Sequence, residues 1–236
     1  MVTSLDELIS QFLCYLEAER NCSIHTLINY RIDLREFVVY GGQQKIAEIT
    51  YLDIRKFLGF LKDKGYSKSS ISRKLACLRS FFKYVSREGI IKTNPAVSIA
   101  TPKRDKKLPH FLEPEEIERL LEAPRHDELT GLRDRAIMET LYGSGVRVSE
   151  LRDANVDDLD CFNGLLKVRG KGKKERIVPI GSVALRAIER YLDKRNRRES
   201  TNAEPLFLNK NGTRLTDRSI RRIINKYRLL IGLQKE

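Results

Sequence analysis

Thr140-Leu-Tyr-Gly-Ser-Gly-Val-Arg147-Val-Ser-Glu150-Leu151 is the stretch of the chain that says most about its fold and its chemistry. The small residues before the arginine predict a loop that enters a helix and lets a ligand come close to the backbone. The guanidinium of Arg147 is suited to gripping two phosphate oxygens in a bidentate fork. Glu150 lies within helical reach and is expected to orient or neutralise it. The stretch predicts a phosphate clamp; the alternative is an ordinary surface arginine near a helix start.

A β-hairpin is predicted a short distance further along the chain. Residues 164–170 and 176–180 predict two short strands, which pair across the turn Gly-Lys-Gly-Lys-Lys at 170–174. Lys171 lies at the tip between two glycines, where its ammonium can protonate a leaving oxygen or neutralise phosphate charge. The alternative is a solvated, charged turn without a function.

The first part of the chain predicts a bundle of four helices. Apolar residues recur there at helical spacing in four blocks, and Ser23 and Ser67 are placed as N-caps of the second and fourth blocks. The third block runs from about residue 50 to 64 and ends at Gly65, and the fourth ends at Gly89. The fold class is therefore predicted to be mainly α.

Three domain-level segments follow from the positions of prolines and charges. Residues 1–94 form the N-terminal helical domain, and residues 95–112 form a basic, proline-containing linker that is expected to be extended and solvated. Residues 113–236 form a second domain, which opens with a helix at Pro114. This domain is predicted to be mostly helical with one small antiparallel β-sheet.

Composition narrows the class of partner. The chain has 45 Lys and Arg against 32 Asp and Glu, which gives a net charge of +13 and favours polyanionic partners, nucleic acid first. The alternative is a merely soluble basic surface. No segment has the length of a membrane span or the pattern of a signal peptide, so we expect a cytoplasmic protein without a membrane partner. The four cysteines have no metal-ligand spacing and are expected to be reduced, mostly buried thiols.

Basic and polar side chains lie among the core positions of the second and fourth predicted helices and give each helix a polar, basic side. Such faces can lie against a duplex, with Lys and Arg on phosphates and Ser or Asn nearer base edges. A solvated helix face is the alternative. The candidate DNA-binding residues are Asn29 and Arg31 in the second helix, Lys68, Ser69, Arg73 and Lys74 in the fourth, and Arg214 and Arg218 near the end of the chain.

The order of these motifs resembles the tyrosine recombinase, or phage integrase, family, and specifically its Xer-type members. The resemblance is strongest in residues 140–151 and 168–180, and it extends over residues 23–37, 69–84, 94–96 and 212–222. It implies an N-terminal SAM-like core-binding bundle and a C-terminal catalytic domain. It also implies double-stranded DNA as the partner, assembly with a partner recombinase subunit in a tetrameric synapse, and no metal or other cofactor.

The resemblance assigns roles to two residues in particular. Arg147 matches the family's first catalytic arginine, which binds the scissile phosphate, and Lys171 matches its hairpin lysine, the candidate acid toward the leaving 5′-oxygen. Glu150 is predicted to be a supporting residue of this site. The family also uses a His-x-x-Arg pair, a further His or Trp, and a tyrosine that forms a 3′-phosphotyrosyl link.

Those remaining motifs are absent from the printed sequence. None of the three histidines has arginine three positions later, because Ile28, Glu113 and Leu129 occupy those positions. Tyr227, the last tyrosine, has the apolar spacing of a packing residue in a helix. We therefore expect a C-terminally truncated recombinase that binds DNA and does not cut it. The alternative is a non-catalytic DNA-binding or regulatory module.

Overall fold

The computed structural model describes residues 4–42, 45–103, 111–170, 172, 174–195 and 204–233. The chain divides into two compact units, Met1–Leu108 and Pro109–Glu236. Both units are mainly helical, and the second adds one small antiparallel sheet. The predicted fold class is confirmed at this level.

Four α-helices build the described part of the first unit, as predicted. Each begins after a serine or threonine whose hydroxyl accepts a hydrogen bond from a backbone N–H three residues on, and Ser23 and Ser67 are two of these caps. Gly65 and Gly89 follow the third and fourth helices in the left-handed backbone conformation. The helices are α1 Leu5–Ala18, α2 Ile24–Gly41, α3 Tyr51–Asp63 and α4 Lys68–Arg87.

The core of the first unit is rich in aromatic rings. Phe12 packs edge-on against Phe81 with ring centroids 5.5 Å apart, and Phe37 does the same against Phe57 at 5.1 Å. All four rings are buried, and burial of each such side chain contributes about 1.5–3 kcal/mol. These contacts join α1 to α4 and α2 to α3, and Phe37 also packs edge-on against Phe82 of α4 at 6.1 Å, which links the two pairs.

The beginning of the predicted linker differs from the expected extended, solvated segment. Ala96 and Ile99 are buried in the first core. Arg79 of α4 donates hydrogen bonds to the carbonyl of Ala96 at 3.2 Å and to the hydroxyl of Thr101 at 2.8 Å. Apolar side chains and a half-buried guanidinium therefore hold this segment on α4. The rest of the basic run, residues 104–110, lies outside the described residues, and the domain bounds stay a prediction.

The second unit packs helices against a small sheet. Strand β2 pairs antiparallel with both β1 and β3, in the order β1-β2-β3, and the pair β2–β3 is the predicted hairpin. The first strand was not predicted, since it has only two residues. The elements are α5 Pro114–Glu122, α6 Leu129–Ser144, α7 Val148–Asp153, β1 Leu159–Asp160, β2 Leu165–Arg169, β3 Glu175–Pro179, α8 Ser182–Lys194 and α9 Asp217–Leu230.

The cysteines differ in part from expectation. All four are free thiols, but only Cys77 is buried, and Cys14 is exposed. The prediction that most of them are buried was wrong, because Cys14 lies on the solvent side of α1 and the half-buried Cys22 and Cys161 lie in loops. Among the residues that the structure describes, no helix is both long enough and apolar enough to cross a lipid bilayer.

Candidate phosphate-binding site

The loop that presents Arg147 is formed by a helix end and a helix start in immediate succession. Helix α6 ends at Ser144, and Gly145 caps it in the left-handed conformation, with φ of 63° and its N–H bonded to the carbonyl of Leu141. A side chain is disfavoured in this conformation, which explains the glycine. Val146 then turns into the core, and Arg147 becomes the N-cap of α7.

Arg147 is held from below by Glu150 while its side chain stays in solvent. The backbone N–H of Arg147 donates to Glu150 Oε2 at 2.8 Å, and its Nη1 donates to Glu150 Oε1 at 2.8 Å. The Arg147 side chain is 72% exposed and that of Glu150 is 2% exposed. Glu at this position of a helix commonly reaches back to the N-cap N–H. The guanidinium is thus oriented by a buried anchor and remains accessible.

A second arginine, Arg176 on β3, completes the environment of Glu150. Its Nη1 lies 2.6 Å from Glu150 Oε1 and its Nη2 lies 2.8 Å from Oε2, which makes a bidentate pair. These bonds, together with those from Arg147, hold the pKa of the Glu150 carboxyl at about 2, below its ordinary value of 4.5, although burial acts in the opposite direction. Glu150 is therefore a carboxylate throughout the physiological range.

The hairpin that carries Lys171 passes directly over this carboxylate. Gly170 closes the turn by donating its N–H to the carbonyl of Lys174 at 2.7 Å. A Cβ at Gly170 would lie 3.3 Å from Glu150 Oε1, so the strand end and the carboxylate are in close approach. Lys171 itself lies outside the described residues.

The arrangement is suited to holding an anionic oxygen. Arginine has five N–H donors, and Arg147 uses one of them on Glu150, so the others can bind a phosphate. Within the described ranges no group of three or more His, Cys, Asp and Glu side chains is placed to hold a metal ion. The chemistry that the described side chains offer is positioning and charge neutralisation of a phosphodiester.

Five of the predicted DNA-binding residues lie on exposed surfaces. Asn29 and Arg31 are on the solvent side of α2, where the Asn29 amide also donates to the carbonyl of His25 at 2.8 Å. Lys68 and Ser69 are exposed at the start of α4, and Arg218 is exposed on α9. These five positions are accessible, and their contact with DNA stays a prediction.

Two predicted DNA-binding residues of α4 are engaged inside the first unit. The Lys74 ammonium is 3% exposed and pairs with Asp33 at 2.8 Å and Glu36 at 2.6 Å. Arg73 also pairs with Asp33, although part of its side chain remains exposed. The assignment of Lys74 to DNA is therefore corrected, because its charge is buried and already neutralised; Arg73 has one of its donors committed.

Arg214 is likewise a structural residue. Its Nη1 donates to the carbonyls of Arg152 at 2.8 Å and Ala154 at 3.1 Å, and its Nη2 bonds the side chain of Asn155. These bonds tie the segment before α9 to the end of α7. Contact of Arg214 with DNA stays a prediction, with three hydrogen bonds of its guanidinium already committed within the second unit.

Tyr227 is placed as a packing residue, in agreement with the sequence. Its hydroxyl donates to Asp134 Oδ2 at 3.0 Å, and the ring is buried. Burial and the Asp134 charge raise the pKa of the Tyr227 phenol. A buried phenol that is hydrogen-bonded to a carboxylate is not presented to a substrate.

Comparisons with known proteins agree on one family. Residues 110–236 match the phage integrase family, and residues 9–89 match the phage integrase N-terminal SAM-like domain. Tyrosine recombinase XerC of Syntrophus aciditrophicus (strain SB) is 42% identical over 98% of this chain and 80% of that protein. The chain belongs to the Xer-type tyrosine recombinases. XerC of Pelobacter propionicus is 46% identical over 94% of this chain and 74% of its own length, and XerD of Staphylococcus haemolyticus is 38% identical over 98% and 80%.

Solved structures confirm the tyrosine recombinase fold. A lambda integrase dimer bound to a COC′ core site has a TM-score of 0.75 and 23% identity over 99% of this chain and 83% of that one. The Tn1549 transposon integrase in complex with transposon right end DNA has a TM-score of 0.77 and 20% identity over 97% and 81%. The predicted SAM-like bundle followed by a mostly helical domain with a small sheet is thus confirmed.

Sequence reasoning missed the partners of the charged residues in this recombinase chain. A signal existed for Lys74, which lies on the same helical face as Ile71 and Leu78, and a charge on an apolar face needs a buried partner. A signal also existed for Arg176, two residues before buried Val178 on β3, where alternate residues share a face. Both signals indicate a buried counter-ion without saying which carboxylate supplies it.

Proposed function

We propose that this chain binds double-stranded DNA as part of site-specific recombination, with Arg147 on the target phosphate and Lys171 toward the leaving 5′-oxygen. The observation that carries the proposal is the exposed Arg147 guanidinium, held on buried Glu150 inside a motif that matches the family's first catalytic arginine. The relatives are named tyrosine recombinases, and the structural neighbours are integrases on DNA. DNA as the substrate is consistent with a cytoplasmic protein.

Each unit contributes its own DNA-facing residues to the proposal. These are Asn29, Arg31, Lys68 and Ser69 in the core-binding domain, proposed as residues 1–94, and Arg218 in the catalytic domain, proposed as residues 113–236. Residues 95–112 are proposed to connect the two. Assembly with a partner recombinase in a tetrameric synapse is proposed because a lambda integrase tetramer on a Holliday junction has a similar fold.

We further propose that these 236 residues bind DNA without cleaving it. The support is that no His-x-x-Arg occurs in the sequence and that the Tyr227 hydroxyl is buried on Asp134. The same observations favour the second candidate role, a non-catalytic DNA-binding or regulatory module. Both roles require the same phosphate contact at Arg147.

A salt series tests the binding. The affinity for a fluorescein-labelled random-sequence duplex is measured by anisotropy at several salt concentrations, for the wild type and for Arg147→Ala. Loss of one phosphate contact is expected to lower the slope of log affinity against log salt by about 0.9. Arg125 is the matched control, since it is equally exposed and also pairs with a glutamate three residues on. A wild-type affinity that does not change with salt would overturn the proposal.

Incubation with a nicked suicide duplex tests the absence of cleavage. A covalent protein–DNA complex is sought by denaturing electrophoresis, and none is expected from these residues. An adduct that persists in Tyr227→Phe would show that another tyrosine is the nucleophile. An adduct that disappears in that variant would show that Tyr227 leaves its buried position.

A further inference from the structure

The Glu150 carboxylate has its hydrogen-bonding capacity filled by two arginines. Oε1 accepts from Nη1 of Arg147 and Nη1 of Arg176, and Oε2 accepts from the backbone N–H of Arg147 and Nη2 of Arg176. A carboxylate offers about four acceptor sites, so all are in use. The Arg147 side chain thus forms one hydrogen bond with Glu150, whereas the Arg176 side chain forms two.

Arg176 reaches Glu150 from the hairpin that carries Lys171. It is opposite Val168 in the β2–β3 register, and Val168 and Val178 place this face of the hairpin in the core. The Arg176–Glu150 ion pair and the close approach of Gly170 to Glu150 together fix the base of the hairpin to the start of α7, which presents Arg147.

We propose that Arg176 is a positioning residue that neutralises Glu150 and thereby keeps the Arg147 guanidinium free for a DNA phosphate. The inference rests on the proposed function of Arg147. A buried carboxylate requires compensation, and without Arg176 the cation that stays bonded to Glu150, among the residues that the structure describes, is Arg147. Its guanidinium would then fork onto both oxygens of Glu150, the geometry that arginine and carboxylate prefer, and would compete with binding of phosphate.

A double-mutant cycle tests this role by asking what Arg147 contributes in different backgrounds. Arg147→Ala is expected to weaken binding of the labelled duplex about tenfold in the otherwise wild-type protein, the effect of losing one charge-assisted contact. In the Arg176→Ala background the same substitution is expected to cost less than about twofold, because Arg147 is already withdrawn. Adding Glu150→Gln to Arg176→Ala is expected to restore the cost of about tenfold, since the competing charge is gone.

Arg169 provides the matched control. It lies on the same hairpin and makes a bidentate pair with Asp158, at 2.9 Å for both nitrogens. In Arg169→Ala the substitution of Arg147 is expected to keep its full cost. Adding Glu150→Gln to Arg169→Ala changes the net charge by the same amount as adding it to Arg176→Ala, so this variant corrects for the general effect of net charge. Arg176→Lys, which keeps the charge and loses the fork, is expected to fall between wild type and Arg176→Ala.

The outcomes separate the inference from the proposed function. If Arg147→Ala has no effect in the wild type, the proposed function fails. If it has its full effect in Arg176→Ala, the positioning role fails while the phosphate contact stands. If Arg176→Ala weakens binding and Glu150→Gln does not restore the dependence on Arg147, Arg176 contacts DNA directly and the inference is overturned. Urea unfolding of each variant confirms that the compared proteins are folded.

Discussion

The first unit and the second unit each place a buried carboxylate against two cations, and the cations of the second are the more exposed. In the first, Asp33 is 1% exposed, and its partners Lys74 and Arg73 are 3% and 41% exposed. In the second, Glu150 is 2% exposed, and its partners Arg176 and Arg147 are 41% and 72% exposed. The charges are of the same kind, and the burial of the cations differs.

This difference separates a packing device from a binding site. The Asp33 cluster joins α2 to α4 and keeps the Lys74 charge away from a ligand, because Asp33 and Lys74 are removed from water together. The Glu150 cluster uses a buried anion to orient an exposed guanidinium, which reduces the ordering that phosphate binding requires. The comparison predicts that loss of a buried ion in either unit lowers stability, whereas loss of Arg147 affects DNA affinity more than stability.

The largest effect on stability is expected at the Asp33 cluster. Asp33→Ala leaves the buried Lys74 ammonium with Glu36 alone, and loss of one partner of a buried pair lowers the free energy of unfolding by about 3 kcal/mol. Urea unfolding measures the change. Replacing Asp33 by Leu and Lys74 by Met together is the control, and should recover much of the loss. If Asp33→Ala lowered the free energy of unfolding by less than about 1 kcal/mol, Asp33 and Lys74 would not behave as a buried ion pair.

The next effect is a dependence on pH in the second unit. Because the folded pKa of Glu150, about 2, is below its ordinary value of 4.5, the carboxylate stabilises the folded state at pH above about 4.5. This contribution, roughly 3 kcal/mol, is lost as the pH falls from about 5 to about 2. The wild type should therefore lose stability faster than Glu150→Gln in this window, as followed by urea midpoints. Parallel curves for the two proteins would refute it.

A smaller effect is expected at Tyr227. Tyr227→Phe removes the hydroxyl that bonds Asp134 Oδ2, while Arg133 continues to bond Oδ1 at 2.6 Å. The free energy of unfolding should fall by about 1 kcal/mol, the usual net value of one hydrogen bond. DNA affinity should be unchanged in the same preparation. A variant that loses affinity and keeps its stability would place Tyr227 at the DNA.

The smallest effect on stability is expected at the residue proposed to matter most for DNA. Arg147→Ala leaves Glu150 paired with Arg176, and the lost side chain is exposed, so the free energy of unfolding should change by about 0.5 kcal/mol or less. Arg125→Ala, which removes an equally exposed arginine, should change stability to a similar extent. A loss of 2 kcal/mol or more at Arg147 would mean that the two clusters are alike.

Local features of this recombinase chain were predictable, and distant pairings were not. The N-caps at Ser23 and Ser67, the β2–β3 hairpin and the reach of Glu150 to Arg147 all depend on residues that are close in sequence. Lys74 and Asp33 are 41 positions apart, and Arg176 and Glu150 are 26 apart. Helical spacing or strand alternation places each of these charges on a face, but it does not say which opposite charge lies there.

The amino-acid sequence by itself determined the four helices of the first unit, their caps and the hairpin, and it predicted Arg147 as the phosphate-binding arginine, because each of these depends on neighbouring residues or on motifs that match a family. Only the tertiary structure decided that Lys74 is a buried cation, that Arg214 is bonded to main-chain carbonyls and that Arg147 is exposed. The physical reason is that the free energy of a charge depends on the groups around it. Those groups are brought together by packing between elements that are remote along the chain.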